Sequence, residues 1–272
     1  MFSIYSSLFN LKSFDIDYQF ILKNWADFIG YRGEIVIAIN NSYEDDGYTT
    51  QKIVTLSQKY PIRVVYTNIP YSKNTFDGDI KNAALQATSD KFPLKIQMDF
   101  DEVIPSFSRP LWDEVADKLL NSPYEAVFVP SIDLYGGETQ IRKNHNIGLK
   151  WRIHKRGLKR GVWRGAKLDK GLIATDRSDT CELLSPDDEL VPTINITPPD
   201  FLKPENSHNL RDKIYTFHLG YLNLARRQKL NEDFWSKKWS ERSGKPENVI
   251  IDLEKLKRED TVPHNLPLWD KI

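Results

Sequence analysis

Apolar residues along the first half of the chain gather into short runs separated by amphipathic stretches. Ile35, Val36, Ile37, Ala38 and Ile39 form a nearly continuous apolar run within 34–39, the pattern of a parallel strand covered on both faces. Runs at 2–5 and 62–66 predict two more strands. Phe20, Ile21, Trp25 and Phe28 recur at helical spacing over 16–28, and Ile53 and Leu56 mark a second helix over 48–59. From about Asp79, Ile80, Ala83, Ala84 and Ala87 fall at the i, i+3, i+4, i+7 spacing of one buried stripe, and their small side chains let a helix approach a sheet closely. Over 92–98, Phe92, Leu94, Ile96 and Met98 alternate with Lys95 and Gln97, which predicts a strand with one less buried face. Ser108 is placed to cap a further helix with Pro110 in its first turn, and Leu111, Val115 and Leu119 are expected to face the core. A strand over 125–132 follows. This alternation predicts an α/β fold: a mostly parallel sheet flanked by helices.

From Gly136 onward the chain is more basic, richer in loops and less periodic. Strands are expected at 151–154 and 214–218, and a helix over 221–239 with Leu222, Ala225, Leu230 and Phe234 available to pack. The change of texture divides the chain into halves, 1–135 and 136–272, expected to form one continuous domain.

Composition narrows the function classes. The 272 residues carry 38 basic and 38 acidic side chains, so no global field gathers a polyanion and nucleic acid is disfavoured as the main partner. The single cysteine, Cys181, cannot form an intramolecular disulfide and suits a reducing compartment. The opening residues 1–11 show neither a basic leader nor a long apolar core, and no segment approaches the roughly 20 apolar residues of a spanning helix. A cytoplasmic protein without a transmembrane segment is expected, with peripheral membrane contact through a substrate or partner left open.

The sharpest local feature is Gln97-Met98-Asp99-Phe100-Asp101-Glu102. Asp99 and Asp101 lie two apart, so in extended backbone both carboxylates point the same way, and they emerge where the strand ends. Open α/β sheets bind ligands at that end. Two carboxylates aimed at one point repel unless a cation neutralises them, and oxygen ligands suit Mg2+ or Mn2+. A solvated acidic turn is the plainer alternative. His218, after Ile214-Tyr215-Thr216-Phe217 and before Leu219-Gly220, stands at another strand end, as a metal ligand or as a satisfied semi-buried histidine. Asn40, Asn41, Ser42 and Asp46 follow the apolar run 35–39 and suit either ribose contacts or an ordinary turn. Asp79, Lys81 and Asn82 open the Ala-rich helix, where Asp79 is either its cap or a ligand contact, and Lys81 is near enough to meet a diphosphate.

Taken in order, Ser6, Leu8, Phe9 and Asn10, then Ile37-Ala38-Ile39-Asn40-Asn41-Ser42 with Asp46-Gly47, then Lys81-Asn82-Ala83-Ala84, then Asp99-Phe100-Asp101, resemble the nucleotide-diphosphosugar glycosyltransferases of the GT-A fold, particularly family 2. The resemblance covers roughly the first 135 residues. It implies a GT-A-like sheet whose first half binds the nucleotide sugar and the metal, with an irregular acceptor-side region and C-terminal helix after it. By resemblance, Asn40, Asn41, Ser42 and Asp46 contact the nucleoside, Asp79, Lys81 and Asn82 the donor, with Lys81 at the usual arginine place. Asp99 also belongs to the donor contacts, Asp99 and Asp101 hold Mn2+ or Mg2+, and His218 is the late histidine that some members add to the metal shell. An inverting enzyme of this kind also needs an acceptor-side carboxylate as base. Asp133, after the strand 125–132, and Asp188, within Asp187-Asp188-Glu189, are the candidates.

Phe100 departs from the small residue usual between the two acids and is expected to narrow the space around the donor. Trp151, Arg152 and His154 are expected to shape an acceptor pocket, while Lys155, Arg156, Lys159, Arg160 and Arg164 either attract an acidic acceptor or form a solvated basic face. The acceptor is a glycan, a lipid-linked group or a protein. Two other functions fit part of the pattern: a sugar nucleotidyltransferase, against which the glycine-poor Ser6-Ser7-Leu8-Phe9-Asn10 counts, and a noncatalytic sugar- or protein-binding module on a transferase fold.

Overall fold

The computed structural model describes residues 2–8, 11, 17–41, 47–69, 76–138, 140–142, 148–161, 182–187, 189–196, 214–230, 232, 236 and 261–263. The chain divides into two compact units. The first takes Met1–Phe100, Val115–Phe128 and Trp151–Asn195, and the second Asp101–Glu114, Val129–Lys150 and Ile196–Ile272.

In order along the chain, the elements begin with β1 (Phe2–Leu8), α1 (Tyr18–Ile29), β2 (Glu34–Asn40), α2 (Tyr48–Ser57), β3 (Ile62–Thr67), α3 (Phe76–Gln86) and β4 (Leu94–Gln97). There follow β5 (Glu102–Val103), α4 (Arg109–Leu120), β6 (Ala126–Asp133), β7 (Gln140–Arg142), β8 (Gly148–Lys155) and β9 (Lys159–Gly161). The last are β10 (Glu182–Leu184), β11 (Thr193–Asn195), β12 (Thr216–His218), α5 (Leu224–Leu230) and β13 (Thr261–Pro263). The fold is the expected mixed α/β arrangement, a mostly parallel sheet flanked by helices and in keeping with a GT-A-like fold.

In the first unit β1 pairs in parallel with β2 on one side and β4 on the other, β2 pairs in parallel with β3, and β4 pairs antiparallel with β8. The period of two then sorts side chains onto two faces. On one, Tyr5, Val36 and Ala38 pack against Ile80, Ala84 and Leu85 of α3, with Ala83 and Ala87 at the margin. On the other, Phe2 stacks on Phe28 of α1 and Phe100 meets Trp25 edge-on at 5.3 Å. Helix α1 starts where the Asp17 carboxylate accepts the Phe20 amide at 3.0 Å, a side-chain cap for an otherwise unbonded donor. In the second unit β12 pairs in parallel with β6 and antiparallel with β5, and β7 pairs with β13.

Three local expectations change. The face of β4 expected to be less buried is covered, with Lys95 2% and Gln97 4% exposed, because both side chains meet other polar groups instead of water. Helix α4 buries Trp112, Ala116 and Leu119, while Leu111 and Val115 are only half-buried, since the indole carries the most apolar surface and turns the helix toward itself. Helix α3 begins at Phe76, so Asp79 lies inside it and is not its cap.

Candidate functional site

One polar cluster lies in the first unit. Its side chains share the β4 face that carries Lys95, Gln97 and, just past the strand, Asp99. Arg152 on the neighbouring β8 is fully buried, and its Nη1 donates to both the carbonyl and the Oε1 of Gln97, at 3.0 and 2.8 Å. Gln97 Nε2 in turn donates to Asp99 Oδ1 at 2.8 Å. Lys81 Nζ, from α3, reaches the same oxygen at 3.1 Å, and Arg152 Nη2 lies 3.9 Å from Asp99 Oδ2. The Asp99 carboxylate, 24% exposed, is thus ringed by donors and cations at the end of the strand.

Deeper on this face a second chain of bonds fixes its own protonation. His154 Nδ1 faces the Lys155 carbonyl at 2.7 Å, which only accepts, so Nδ1 carries the hydrogen and Nε2 accepts from the Tyr5 hydroxyl at 2.9 Å. Tyr5 accepts in turn from Arg160 Nε at 2.8 Å. Burial, with the Arg160 charge adding to it, pushes the His154 pKa down to about 3, and burial also lowers that of Lys95, whose Nζ donates to the Ser89 carbonyl at 2.6 Å.

The other cluster lies in the second unit. Strand pairing sets His218 opposite Asp133 of β6 on one side and Glu102 of β5 on the other. His218 Nδ1 donates to Asp133 Oδ1 at 2.6 Å and Nε2 to Asp101 Oδ2 at 2.9 Å. A carboxylate facing each nitrogen favours the doubly protonated ring. Burial opposes that charge, but Asp101 and Asp133 outweigh it and raise the pKa well above the ordinary histidine value. Gly220 lies over this contact: a Cβ there would stand 2.7 Å from His218 Nε2 and 3.1 Å from Asp101 Oδ2. Glu102, fully buried, accepts from Ser131 Oγ at 3.0 Å and Lys150 Nζ at 2.8 Å. Tyr221 touches the His218 ring edge-on at 5.6 Å.

The structure therefore brings together Lys81 with Asp99, and Asp101 with Asp133 and His218. Among the described residues, no group of three or more His, Cys, Asp or Glu side chains is arranged to hold a metal ion.

The remaining candidates are placed as follows. Asn40 is buried, and its amide is committed to the chain after β3: Nδ2 donates to the Ile69 carbonyl and Oδ1 accepts from the Ile69 amide, each at 2.9 Å. Asn41 is exposed, its amide bonded to the Thr67 carbonyl. Asn82 forms a reciprocal pair with the Arg160 backbone at 2.6 and 2.7 Å. Asp79 is half-buried on α3. Ser42, Asp46 and Asp188 lie outside the described residues, as do Arg164 and Cys181.

Several surrounding expectations are corrected. Arg152 and His154 are fully buried and bonded to Gln97, Tyr5 and the Lys155 carbonyl, so neither presents its side chain to solvent. Lys155 Nζ donates to the Ser122 carbonyl, Lys159 Nζ to the Pro186 carbonyl, and Arg160 is buried on Tyr5, so these three are engaged within the protein. Phe100 turns onto Trp25, where burying a ring is worth more than leaving it beside the acids. Sequence reasoning missed Gln97 and Gly220. Gln97 shares the alternation that leads to Asp99, and Gly220 follows His218 by two residues.

No family model matches the chain, and no curated relative matches it. Among solved structures it is similar to S. aureus TarS 1–349, at 10% identity over 89% of this chain and 70% of that one, with a TM-score of 0.44. It is similar also to S. aureus TarS 1–349 in complex with UDP, at 12% identity over 88% and 72% of the two chains and a TM-score of 0.42. A third is the mannosyltransferase PcManGT from Pyrobaculum calidifontis in complex with GDP-Man and Mn2+, at 13% identity over 57% and 44% and a TM-score of 0.38.

Proposed function

We propose that this chain is a metal-dependent, inverting glycosyltransferase that moves a sugar from a nucleotide-diphosphate donor to an acceptor, with Asp101 and His218 as the protein ligands of a Mn2+ or Mg2+ ion. The observation that carries this reading is the chain Asp101–His218–Asp133 beneath Gly220. Asp101 Oδ2 and His218 Nε2 converge at 2.9 Å, no Cβ crowds their outer side at Gly220, and an ion bound by both would take the place of the Nε2 proton. A carboxylate oxygen suits either ion, and an imidazole nitrogen beside it favours Mn2+ over the oxygen-preferring Mg2+.

Asp133 keeps the Nδ1 proton and the ring orientation, the usual second partner of a ligating histidine, and is in this reading a positioning residue. The acceptor-side base is then proposed at Asp188. Lys81, held on Asp99, meets the diphosphate, while Asn41, Ser42 and Asp46 approach the nucleoside. The ion, when bound, supplies charge that stabilises the diphosphate leaving group as the glycosidic bond breaks.

Calorimetry with UDP- and GDP-sugars, with Mn2+ and with chelator, tests the proposal on the wild type and Asp101→Ala. Donor affinity is expected only with metal and is expected to fall sharply in the variant. Equal affinity in every combination of protein and metal refutes it. Pyrophosphate released from a nucleoside triphosphate and a sugar phosphate would assign nucleotidyl transfer instead.

A further inference from the structure

We propose that Gln97 and Arg152 are positioning residues that fix the Asp99 carboxylate and, through it, aim the Lys81 ammonium. The inference rests on the donor-side role proposed for Asp99 and Lys81.

Arg152 has only donors, so the Gln97 atom facing Nη1 at 2.8 Å is the oxygen, and the amide NH2 is thereby turned to Asp99 Oδ1, also at 2.8 Å. The second bond from Nη1, to the Gln97 carbonyl at 3.0 Å, ties the guanidinium to the strand backbone and so to the frame of the sheet. One amide therefore reads the buried charge behind it and presents a donor in front. Asp99 Oδ1 receives that donor together with Lys81 Nζ at 3.1 Å, while Oδ2 stays 3.9 Å from Arg152 Nη2.

Lysine is a point charge on a flexible four-carbon stem and has little preferred aim of its own. Lys81 is 12% exposed and Arg152 wholly buried, so the direction of the ammonium is set from inside the unit and not by solvent. A site prepared in this way needs no reordering when an anionic ligand arrives.

Gln97→Glu separates positioning from folding. The new carboxylate still accepts from Arg152, but it loses the donor to Asp99 and repels it. Calorimetry with UDP and with GDP, each with Mn2+, is expected to show about a 10- to 100-fold loss of affinity, the scale of one charge-assisted hydrogen bond, in a protein that still melts cooperatively. A crystal structure of the variant is expected to show the contact between Lys81 and Asp99 broken. Arg152→Lys keeps the buried charge without the fork, and it carries the same two readouts should Gln97→Glu not fold.

Nucleotide affinity within twofold of wild type overturns the inference. If the wild type binds neither nucleotide, the proposed function fails and the variant structure still decides: Lys81 remaining near its 3.1 Å separation from Asp99 overturns the positioning role.

Discussion

Replacing Gly220 by alanine puts one methyl group into the contact between His218 and Asp101. The backbone permits the change, for Gly220 does not lie in the left-handed region. The space does not: the new carbon would stand 2.7 Å from His218 Nε2 and 2.8 Å from Cε1, about 0.7 Å inside ordinary van der Waals contact. His218 cannot simply retreat, because Nδ1 is held by Asp133 at 2.6 Å and its strand is paired on both sides. Overpacking of this kind costs about 1–3 kcal/mol. Urea denaturation should show that loss in Gly220→Ala, and Mn2+ titration should show weakened binding. In a His218→Ala background the ring that is struck has gone, so adding Gly220→Ala should cost less than about 0.5 kcal/mol. Equal cost in both backgrounds would refute the steric argument. Unchanged Mn2+ binding in Gly220→Ala would remove the outer side of this pair as the place of the ion.

Two further outcomes follow from the first unit. Folded His154 stays neutral with its pKa near 3, whereas the unfolded chain takes up a proton near 6.5, so acid favours unfolding. Stability should be full above pH 6.5 and lower by about 2 kcal/mol at about pH 5, a decline that urea titrations of His154→Gln should lack. Phe100→Ala should cost about 3–5 kcal/mol by removing the ring packed on Trp25, while Phe100→Leu should keep most of the stability and all of the nucleotide affinity. Nucleotide affinity that drops in the leucine variant without a loss of stability would place the ring beside the donor after all.

Much of the fold was legible because β2 is a nearly continuous apolar run, β1 and β3 are short segments rich in apolar residues, and the Ala-rich stripe of α3 packs on that sheet. The polar face of β4 was not. Alternation tells which residues share a face, but it equates polar with exposed, and Lys95 and Gln97 are buried because Arg152 and His154 come from the paired β8, more than fifty residues later. Helix α4 misled for a related reason: the Leu111, Val115, Leu119 spacing is sound, yet Trp112 outweighs it. At the candidate site, Asp99 and Asp101 stood out by their own spacing. The contact of His218 with Asp101 spans 117 residues, and only the pairing of β12 with β5 and β6 brings the two together.

Strand β4 also constrains how the chain can change length. Along 94–100 the side chains keep a period of two, with Phe100 on Trp25 of α1 and Gln97 and Asp99 toward the buried Arg152, so the order of Asp99 and Phe100 is held by parity as much as by identity. One inserted residue between Leu94 and Asp99 would turn the sequence over, driving a carboxylate against Trp25 and swinging the phenyl ring toward Lys81. Such an insertion would leave every acid of the motif in the sequence and abolish the Lys81–Asp99 pair. Two inserted residues would preserve the facing but carry Asp99 about 6.6 Å along the strand and away from Lys81.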